Sequence, residues 1–338
     1  MSLGAGAPAF DSSIHKASSH DVDVQAALLQ GWNQDYAQIS AGVFAGSLVE
    51  TGFSGVKLFI ESTSQALLQR GALSEDVVAI GVPLKLAGTA VFCGTPSREA
   101  AVHVFSGKDG FEFYSPAGLV MCGIVASREV LFALLSMEER IMVELILERA
   151  HLAVVGDGEL AAMRDFVKAV LDLAGVSPQL LCNASLRQAL REGVLSNLTH
   201  LLLSCCPVRE PRLRIGHRWK IVLRAREAAL ARAGTPTNIE DICRAAGVSR
   251  RTLQYCFQDI LGITPAEFLR AVRLDGVRRM LRTASSVTDA ATHWGFWHLG
   301  YFSRDYRNMF GELPSQTHRR YRNSALSRDV GGVLAELG

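Results

Sequence analysis

Two stretches near the C-terminus read as one unit written twice. The first runs Ile239-Glu-Asp-Ile-Cys-Arg-Ala-Ala-Gly-Val-Ser-Arg-Arg-Thr-Leu-Gln-Tyr-Cys-Phe257 and ends in Gly262-Ile-Thr-Pro265. The second runs Val287-Thr-Asp-Ala-Ala-Thr-His-Trp-Gly-Phe-Trp-His-Leu-Gly-Tyr-Phe-Ser-Arg-Asp-Tyr306 and ends in Gly311-Glu-Leu-Pro314. Ile239, Asp241 and Gly247 match Val287, Asp289 and Gly295, each 48 positions on. Phe257, Gly262 and Pro265 match Tyr306, Gly311 and Pro314, each 49 on. Each copy reads as a short helix, a glycine turn and a second helix with an apolar face. That is helix-turn-helix syntax, and two copies in one chain point to DNA reading.

Local chemistry supports each copy. Asn238 and Ser286 are suited to cap a helix, with Asp241 and Asp289 three residues on. Ile242, Ala245 and Ala246 share one side of the first helix, and Gly247 frees the backbone for the turn. Ser249 is placed to cap the next helix. There Leu253, Phe257 and Ile260 share a face at helical spacing, leaving Arg250, Arg251, Gln254 and Tyr255 outward. Arg and Gln form bidentate bonds to guanine and adenine edges, and Tyr suits a phosphate, a sugar or a thymine methyl. For one copy, a helical hairpin with a solvated basic face is an equal alternative; two copies with matched Gly and Pro landmarks argue against it.

Charge is strongly polarised. Residues 212–322 hold 20 Arg or Lys against 9 Asp or Glu, a net of +11, whereas residues 1–211 hold 14 against 22, a net of −8. Nineteen of those 20 basic residues are Arg, Lys220 being the exception. Arg favours forked contacts to phosphate and base edges, so the C-terminal part suits a polyanion. With 338 residues, 49% of them hydrophobic, the chain has material for two domains with separate cores. No run approaches the ~18 apolar residues of a membrane helix, and no basic-then-apolar signal opens the chain. Seven cysteines without a Cys-x-x-Cys pair fit a reduced cytoplasm. The adjacent Cys205 and Cys206 read as packing residues rather than a redox or metal pair.

Upstream, short apolar runs punctuated by Gly and Pro dominate residues 40–126: Leu58–Glu61, Val77–Val82, Thr89–Phe92, Ala101–Phe105 and Leu119–Ala126. The expected product is a small antiparallel β-barrel or half-barrel. From Glu129 the period becomes helical, with helices over Glu138–Ala150, Gly158–Leu173 and Leu186–Leu203. These serve either as a dimer face or as packing within one subunit. Trp32, Tyr36, Phe44 and Phe59 are the candidates to line an effector cavity, with Phe105, Phe111, Phe113 and Tyr114 beside them. His103 has no partner histidine at metal spacing, so neither a metal nor a cofactor is expected. No catalytic triad, phosphate loop or carboxylate pair stands out, so no catalytic residue is assigned.

The C-terminal region resembles the AraC/XylS family of transcription regulators. The likeness rests on Ala245-Ala-Gly-Val-Ser-Arg-Arg-Thr-Leu-Gln254, Leu261-Gly-Ile-Thr-Pro-Ala-Glu-Phe-Leu-Arg270, Arg273-Leu274, Trp294-Gly-Phe296 and the closing stretch Phe302 to Pro314. It implies a linker helix from Pro265 to about Leu281 between the two units. It also implies base or backbone contacts from the second unit at His298, Leu299, Gly300 and Arg304. Leu299 and Gly300 carry no polar side chain, which departs from the family pattern. Within the family, Trp294-Gly-Phe-Trp-His-Leu-Gly300 and Ser249-Arg-Arg-Thr-Leu-Gln254, extended upstream by Trp32-Asn-Gln-Asp-Tyr36, Gly42-Val-Phe-Ala-Gly46, Gly81-Val-Pro83, Tyr114-Ser-Pro116 and Gly123-Ile-Val125, resemble regulators of ethanolamine operons in enteric bacteria. That likeness implies a cupin-like sensor for ethanolamine together with adenosylcobalamin.

The expected architecture is therefore α+β. Residues 1–20 form a frayed terminus, 21–126 a β-rich sensor barrel and 127–206 a helical dimerisation region. A Pro-marked linker over 207–214 leads to an all-α double helix-turn-helix over 215–325. The partners expected are double-stranded DNA, a small-molecule effector, RNA polymerase and a second copy of the chain, in the cytoplasm at the nucleoid. The alternatives are a cupin-type enzyme, which the missing metal ligands disfavour, and a regulator whose N-terminal half only dimerises.

Overall fold

The computed structural model describes residues 13–149, 151–207, 213–231 and 238–323. The chain divides into two compact units: residues up to Tyr36 with Phe44–Gly216, and Ala37–Val43 with the chain from His217 onward.

The first unit opens with β1 (His15–Ser19), α1 (Val22–Leu28) and β2 (Gln34–Gln38). Nine strands follow: β3 (Gly46–Phe53), β4 (Val56–Thr63), β5 (Leu67–Gly71), β6 (Val77–Lys85), β7 (Ala90–Phe92), β8 (Thr95–Ser97), β9 (Ala101–Val104), β10 (Phe111–Ser115) and β11 (Leu119–Ser127). Then come α2 (Arg128–Phe132), α3 (Met137–Leu147), β12 (His151–Val154), α4 (Asp157–Val176), a 3-10 turn (Pro178–Cys182), α5 (Ala184–Ser204) and β13 (Cys206–Pro207). An eight-stranded sheet has the order β1-β3-β4-β11-β6-β9-β12-β13, and a five-stranded sheet has the order β2-β5-β10-β7-β8.

These strands do not close into the expected barrel; they make two open sheets. The reason is visible in β4. Val56 and Leu58 point into a core shared with Ile124, Val82 and helices α4 and α5, through Leu160, Val167, Val194 and Leu198. Phe59 points the other way, into a core with Trp32, Phe105, Phe111, Phe113 and Met121. A sheet that is apolar on both faces needs a covering layer on each. Helices supply one and the five-stranded sheet supplies the other.

Two further differences from the sequence-based expectation concern boundaries. The terminus expected to fray through residue 20 contributes β1, paired with β3 from His15↔Glu50 to Ser19↔Gly46. The helical region expected over 127–206 also contains, between two of its helices, β12, paired with β9 from His151↔Val104 to Val154↔Ala101. Of the expected linker, residues 208–212 lie outside the described residues, and so do residues 1–12 of the terminus and 324–325 at the C-terminal boundary.

The second unit holds α6 (Leu213–Ala231), α7 (Ile239–Ala246), α8 (Arg250–Leu261), α9 (Pro265–Met280), α10 (Val287–His293), α11 (Leu299–Phe310) and a final helix α12 over 314–323. Its ends carry the chemistry that defines each helix. Asn238 Oδ1 accepts from Asp241 N at 2.8 Å, and the Asp241 carboxylate returns the bond to the Asn238 amide. Ser249, Thr264 and Ser286 accept from the third amide of α8, α9 and α10. Gly247, Gly262 and Gly311 end α7, α8 and α11 at φ 69°, 69° and 76°, a left-handed conformation that glycine adopts without penalty.

Helix α9 occupies the span expected for the linker helix and packs on both flanks. Phe268 meets Phe257 of α8 edge to face at 4.9 Å. Leu274, Val277 and Leu281 enter a second cluster with Ala290, Ala291, Phe302, Tyr306 and Phe310. Gly276 lies where the Trp294 indole crosses α9; a Cβ there would fall 2.3 Å from Trp294 Cζ2. Gly276→Ala should therefore destabilise the second unit by about 1–3 kcal/mol through overpacking, despite the better helix propensity of Ala. Chemical denaturation checks this, and an unchanged midpoint would show that the indole gives way freely.

Candidate functional site

The first recognition helix is α8. Leu253, Cys256, Phe257 and Ile260 form its buried face, so Arg250, Arg251, Gln254 and Tyr255 are all exposed. Arg250 makes only a loose surface pair with Glu240, at 3.8 Å. Tyr255 is 56% exposed, but the Arg218 guanidinium from α6 lies 4.5 Å from its ring centre. Arg218 is itself bonded to Asp259 at 2.6 Å. One ring face of Tyr255 is thus occupied, which favours its hydroxyl and edge for contact. Arg218 was not among the expected site residues, because only the fold brings α6 beside α8.

The second recognition helix, α11, has the same layout with different chemistry. Phe302, Tyr306, Met309 and Phe310 are buried. His298, Leu299, Gly300 and Arg304 are exposed. Beside them stand Trp297 and Tyr301, 63% and 64% exposed, and Arg304 lies 5.1 Å over the Tyr301 ring. Trp297 and Tyr301 are the residues that the sequence reading passed over. The signal for Tyr301 was available, since it falls off the face set by Phe302 and Tyr306; Trp297 precedes the helix. His298 stands at the N-cap without a side-chain bond to the helix. A Cβ at Gly300 would meet nothing within 4 Å, so packing does not require glycine there.

In the first unit, Trp32, Tyr36 and Phe59 line one cavity with Phe105, Phe111 and Phe113. Phe44 is not part of it; it packs with Val22, Ala26 and Leu67 behind Tyr36. Trp32 is the hub, with ring centres 5.7 Å from Phe59, 4.9 Å from Phe105 and 5.9 Å from Phe111, all edge to face. Glycine makes the room. A Cβ at Gly123 would lie 2.2 Å from Phe59 Cζ, and one at Gly81 would lie 2.7 Å from Phe105 Cε2. The two glycines face each other across β11 and β6.

One carboxylate sits among these rings. Glu61 is 5% exposed and lines the same cavity. Gln25 Nε2 donates to its Oε1 at 3.0 Å, and the Tyr36 hydroxyl lies 3.2 Å from each oxygen. Burial pushes the Glu61 carboxyl up to about 7, against the lowering effect of both donors. Burial and the neighbouring Glu61 also raise the Tyr36 hydroxyl well above its usual value. His103, deep in the same layer, bonds Ser97 Oγ at 2.9 Å and packs against Phe92 and Phe113. Burial lowers it to about 3, so it stays neutral. Among the described residues no group of three or more His, Cys, Asp or Glu is placed to hold a metal ion.

Glu61 links folding to pH with a definite sign. Its folded pKa lies above the unfolded value, so the native state holds the proton longer and loses stability as pH rises from about 4.5 to about 7. That window is worth roughly 3 kcal/mol. His103 acts oppositely, since a lowered histidine costs stability in acid, so wild type alone is not diagnostic. The comparison with Glu61→Gln is: the variant should gain roughly 3 kcal/mol on wild type between pH 4.5 and pH 8. Denaturant titrations at both pH values measure it, and a pH-independent difference would mean that Glu61 titrates normally.

Residues 242–320 match the protein family described as a helix-turn-helix domain, a span running from α7 into α12. The chain is 39% identical over 93 residues to a probable thc operon regulatory protein of Rhodococcus erythropolis, covering 26% of this chain and 28% of that one. It is 38% identical over 87 residues to a XylDLEGF operon transcriptional activator of Pseudomonas putida, covering 25% of this chain and 27% of that one. The chain thus matches little more than a quarter of these relatives' lengths. Among solved structures, a probable AraC family transcriptional regulator from Rhodopseudomonas palustris is 38% identical. The match covers 30% of this chain and 96% of that one, with a TM-score of 0.28. Residues 242–320 thus form a helix-turn-helix domain that is similar in sequence to those of AraC/XylS-type operon regulators.

Proposed function

We propose that the chain is an effector-responsive, sequence-specific transcription regulator that activates a metabolic operon. The observation that carries this is the paired recognition helices, with Arg251 and Gln254 solvent-exposed on α8, in a region of net charge +11. The operon activators it resembles support the direction of control. No catalytic step belongs to this reading. Arg250, Arg251, Gln254 and Tyr255 read one half-site. His298, Leu299, Gly300 and Arg304 read the other, with Trp297 and Tyr301 beside them.

The two helices divide the work unequally. Arg251 and Gln254 make forked bonds to base edges in the major groove. Helix α11 offers an uncapped N-terminus for phosphate, Leu299 for a thymine methyl, and Arg304. Gly300 fits this division: in open space its missing side chain serves close approach of the DNA.

The first unit is the sensor. A small effector at Trp32, Tyr36 and Phe59 fits the aromatic lining better than a corrinoid does. Of the pair that the resemblance implies, the small aromatic cavity suits ethanolamine better than adenosylcobalamin. Dimerisation and contact with RNA polymerase, both in the cytoplasm at the nucleoid, complete the proposal. Met137, Ile141 and Leu145 form an exposed apolar stripe on α3, 71%, 53% and 68% exposed, which supports a protein partner at that face.

Arg251→Ala and Gln254→Ala should each cost roughly 1–3 kcal/mol and relax base preference at defined positions. Binding-site selection on random duplexes reads this out; an unchanged base ranking with both variants removes α8 as the reader. Gly300→Ala should do the reverse of an ordinary damaging change. It should raise unfolding stability by up to about 1 kcal/mol while weakening DNA several-fold. Paired denaturation and fluorescence-anisotropy measurements check it, and undiminished DNA affinity would end the close-approach role.

A further inference from the structure

We propose that Ala37–Val43 is a strap that caps the C-terminal end of α11 and holds that helix for DNA, so that strand β2 fastens the second recognition helix. The DNA part rests on the reading of α11 as a recognition helix; the cap itself does not.

A helix leaves its last four carbonyls without partners of its own. In α11 the closing bond runs from Gly311 N to Arg307 O at 2.7 Å. The Met309 carbonyl is served from far away in sequence. Gln38 Nε2 donates to it at 3.0 Å, and so does the Gly42 backbone N–H, also at 3.0 Å. Both of its lone pairs are then used. Gln38 is 1% exposed, and its Nε2 also donates to the carbonyls of Ser40 and Gly42, each at 2.8 Å. One buried amide thus folds the loop on itself and ties it to the helix. Gly42 stands at φ 129°, a conformation open to glycine, and its N–H meets Met309 there. The loop closes on the helix end as well, since a Cβ at Gly311 would fall 2.2 Å from Val43 Cγ2. Ala37 and Ile39 are buried. These seven residues belong to the second unit, although the chain on either side of them belongs to the first.

The equivalent end of α8 is built otherwise. Gly262 N closes it on Gln258 O at 3.2 Å, and Gln258 Nε2 returns a bond to Gly262 O at 3.3 Å. That end is fastened by its own helix. Helix α11 takes its fastening from Gln38, 271 positions from Met309. The strap has a handle. Gln38 is the last residue of β2, and β2 also carries Gln34 and Tyr36, which line the aromatic cavity. An extended strand rises about 3.3 Å per residue, so Gln38 follows Tyr36 within about 7 Å along the chain. A change in β2 is therefore delivered to the last turn of α11.

The test uses the full-length chain. Gln38→Met keeps the length of the side chain and removes its donor, Gln38→Ala removes both, and circular dichroism verifies that each variant folds. Amide hydrogen exchange followed by mass spectrometry compares the last turn of α11 with the last turn of α8. Both variants should speed exchange about fivefold or more at the end of α11 and leave the end of α8 unchanged. In binding-site selection and anisotropy, both should bind DNA several-fold more weakly while keeping the wild-type base ranking under α8. Unchanged exchange at the end of α11 overturns the strap. Equal acceleration at the end of α8 overturns it too, because that pattern is general loosening. Faster exchange at α11 with undiminished DNA affinity overturns its service to recognition. If the wild type shows no preference among duplexes, the DNA reading fails instead, and the exchange measurement still decides the cap.

Discussion

Both candidate recognition helices of the second unit depend on a single helix, α9, that is apolar on two sides. Phe268 and Leu269 serve the first helix-turn-helix, and Leu274, Val277 and Leu281 serve the second. Such a helix cannot be stable alone, because neither flank tolerates water. It also cannot rotate for one unit without breaking the other. The far end is locked by charge. Arg278 of α9, 5% exposed, pairs with Glu312 at 3.1 Å and lies 4.6 Å from the Phe310 ring. Glu312 also takes two bonds from Arg320 of α12, at 2.8 and 2.9 Å. Losing Glu312 would remove a carboxylate partner from a buried guanidinium, a larger penalty than losing a surface pair. One acidic residue thus ties α9, the end of α11 and α12 together, and the recognition helices inherit a fixed relation.

A rigid frame lets the two helices differ without losing register. Helix α8 offers Arg and Gln, whose donors and acceptors distinguish base pairs. Helix α11 offers exposed Tyr301, a leucine, a glycine and an uncapped first turn, with exposed Trp297 just before it. Those groups favour backbone contact and apolar contact, which position a protein more than they specify a sequence. Near-identical folds, shown by the matched αL glycines at 247 and 295 and at 262 and 311, therefore carry unlike chemistry.

How far this was legible in sequence depends on the range of the interaction concerned. The double unit was legible because caps, glycine turns and the buried faces of α8 and α11 are local patterns. Asn238, Ser249 and Ser286 all cap as their neighbours dictated. The barrel was not, because strand alternation states which residues share a face and not how many sheets the strands divide into. The two apolar faces of β4 were in the sequence, but the identity of each covering layer was not. Glu61 was missed for the same reason: it shares a face with Phe59, and only the second sheet makes that face an interior. Tyr255 was found, yet its cover by Arg218 depends on a contact between helices about 40 residues apart in sequence.

Two positions stand against the stability of their own elements. Gly300 weakens the first turn of α11 where any side chain would fit, and Glu61 places an acid where Leu48 and Met121 mark an apolar site. Elsewhere local propensity, pattern and packing agree: Gly276 and Gly123 are glycine because rings lie on them. Glu61 is compensated within the chain, since it accepts from the buried Gln25 amide and Tyr36 hydroxyl, whereas no packing contact calls for glycine at position 300. On the proposed DNA-reading role of α11, close approach of DNA accounts for Gly300. The contrast between required and unrequired residues of one type thus separates the positions that build the fold from those that use it.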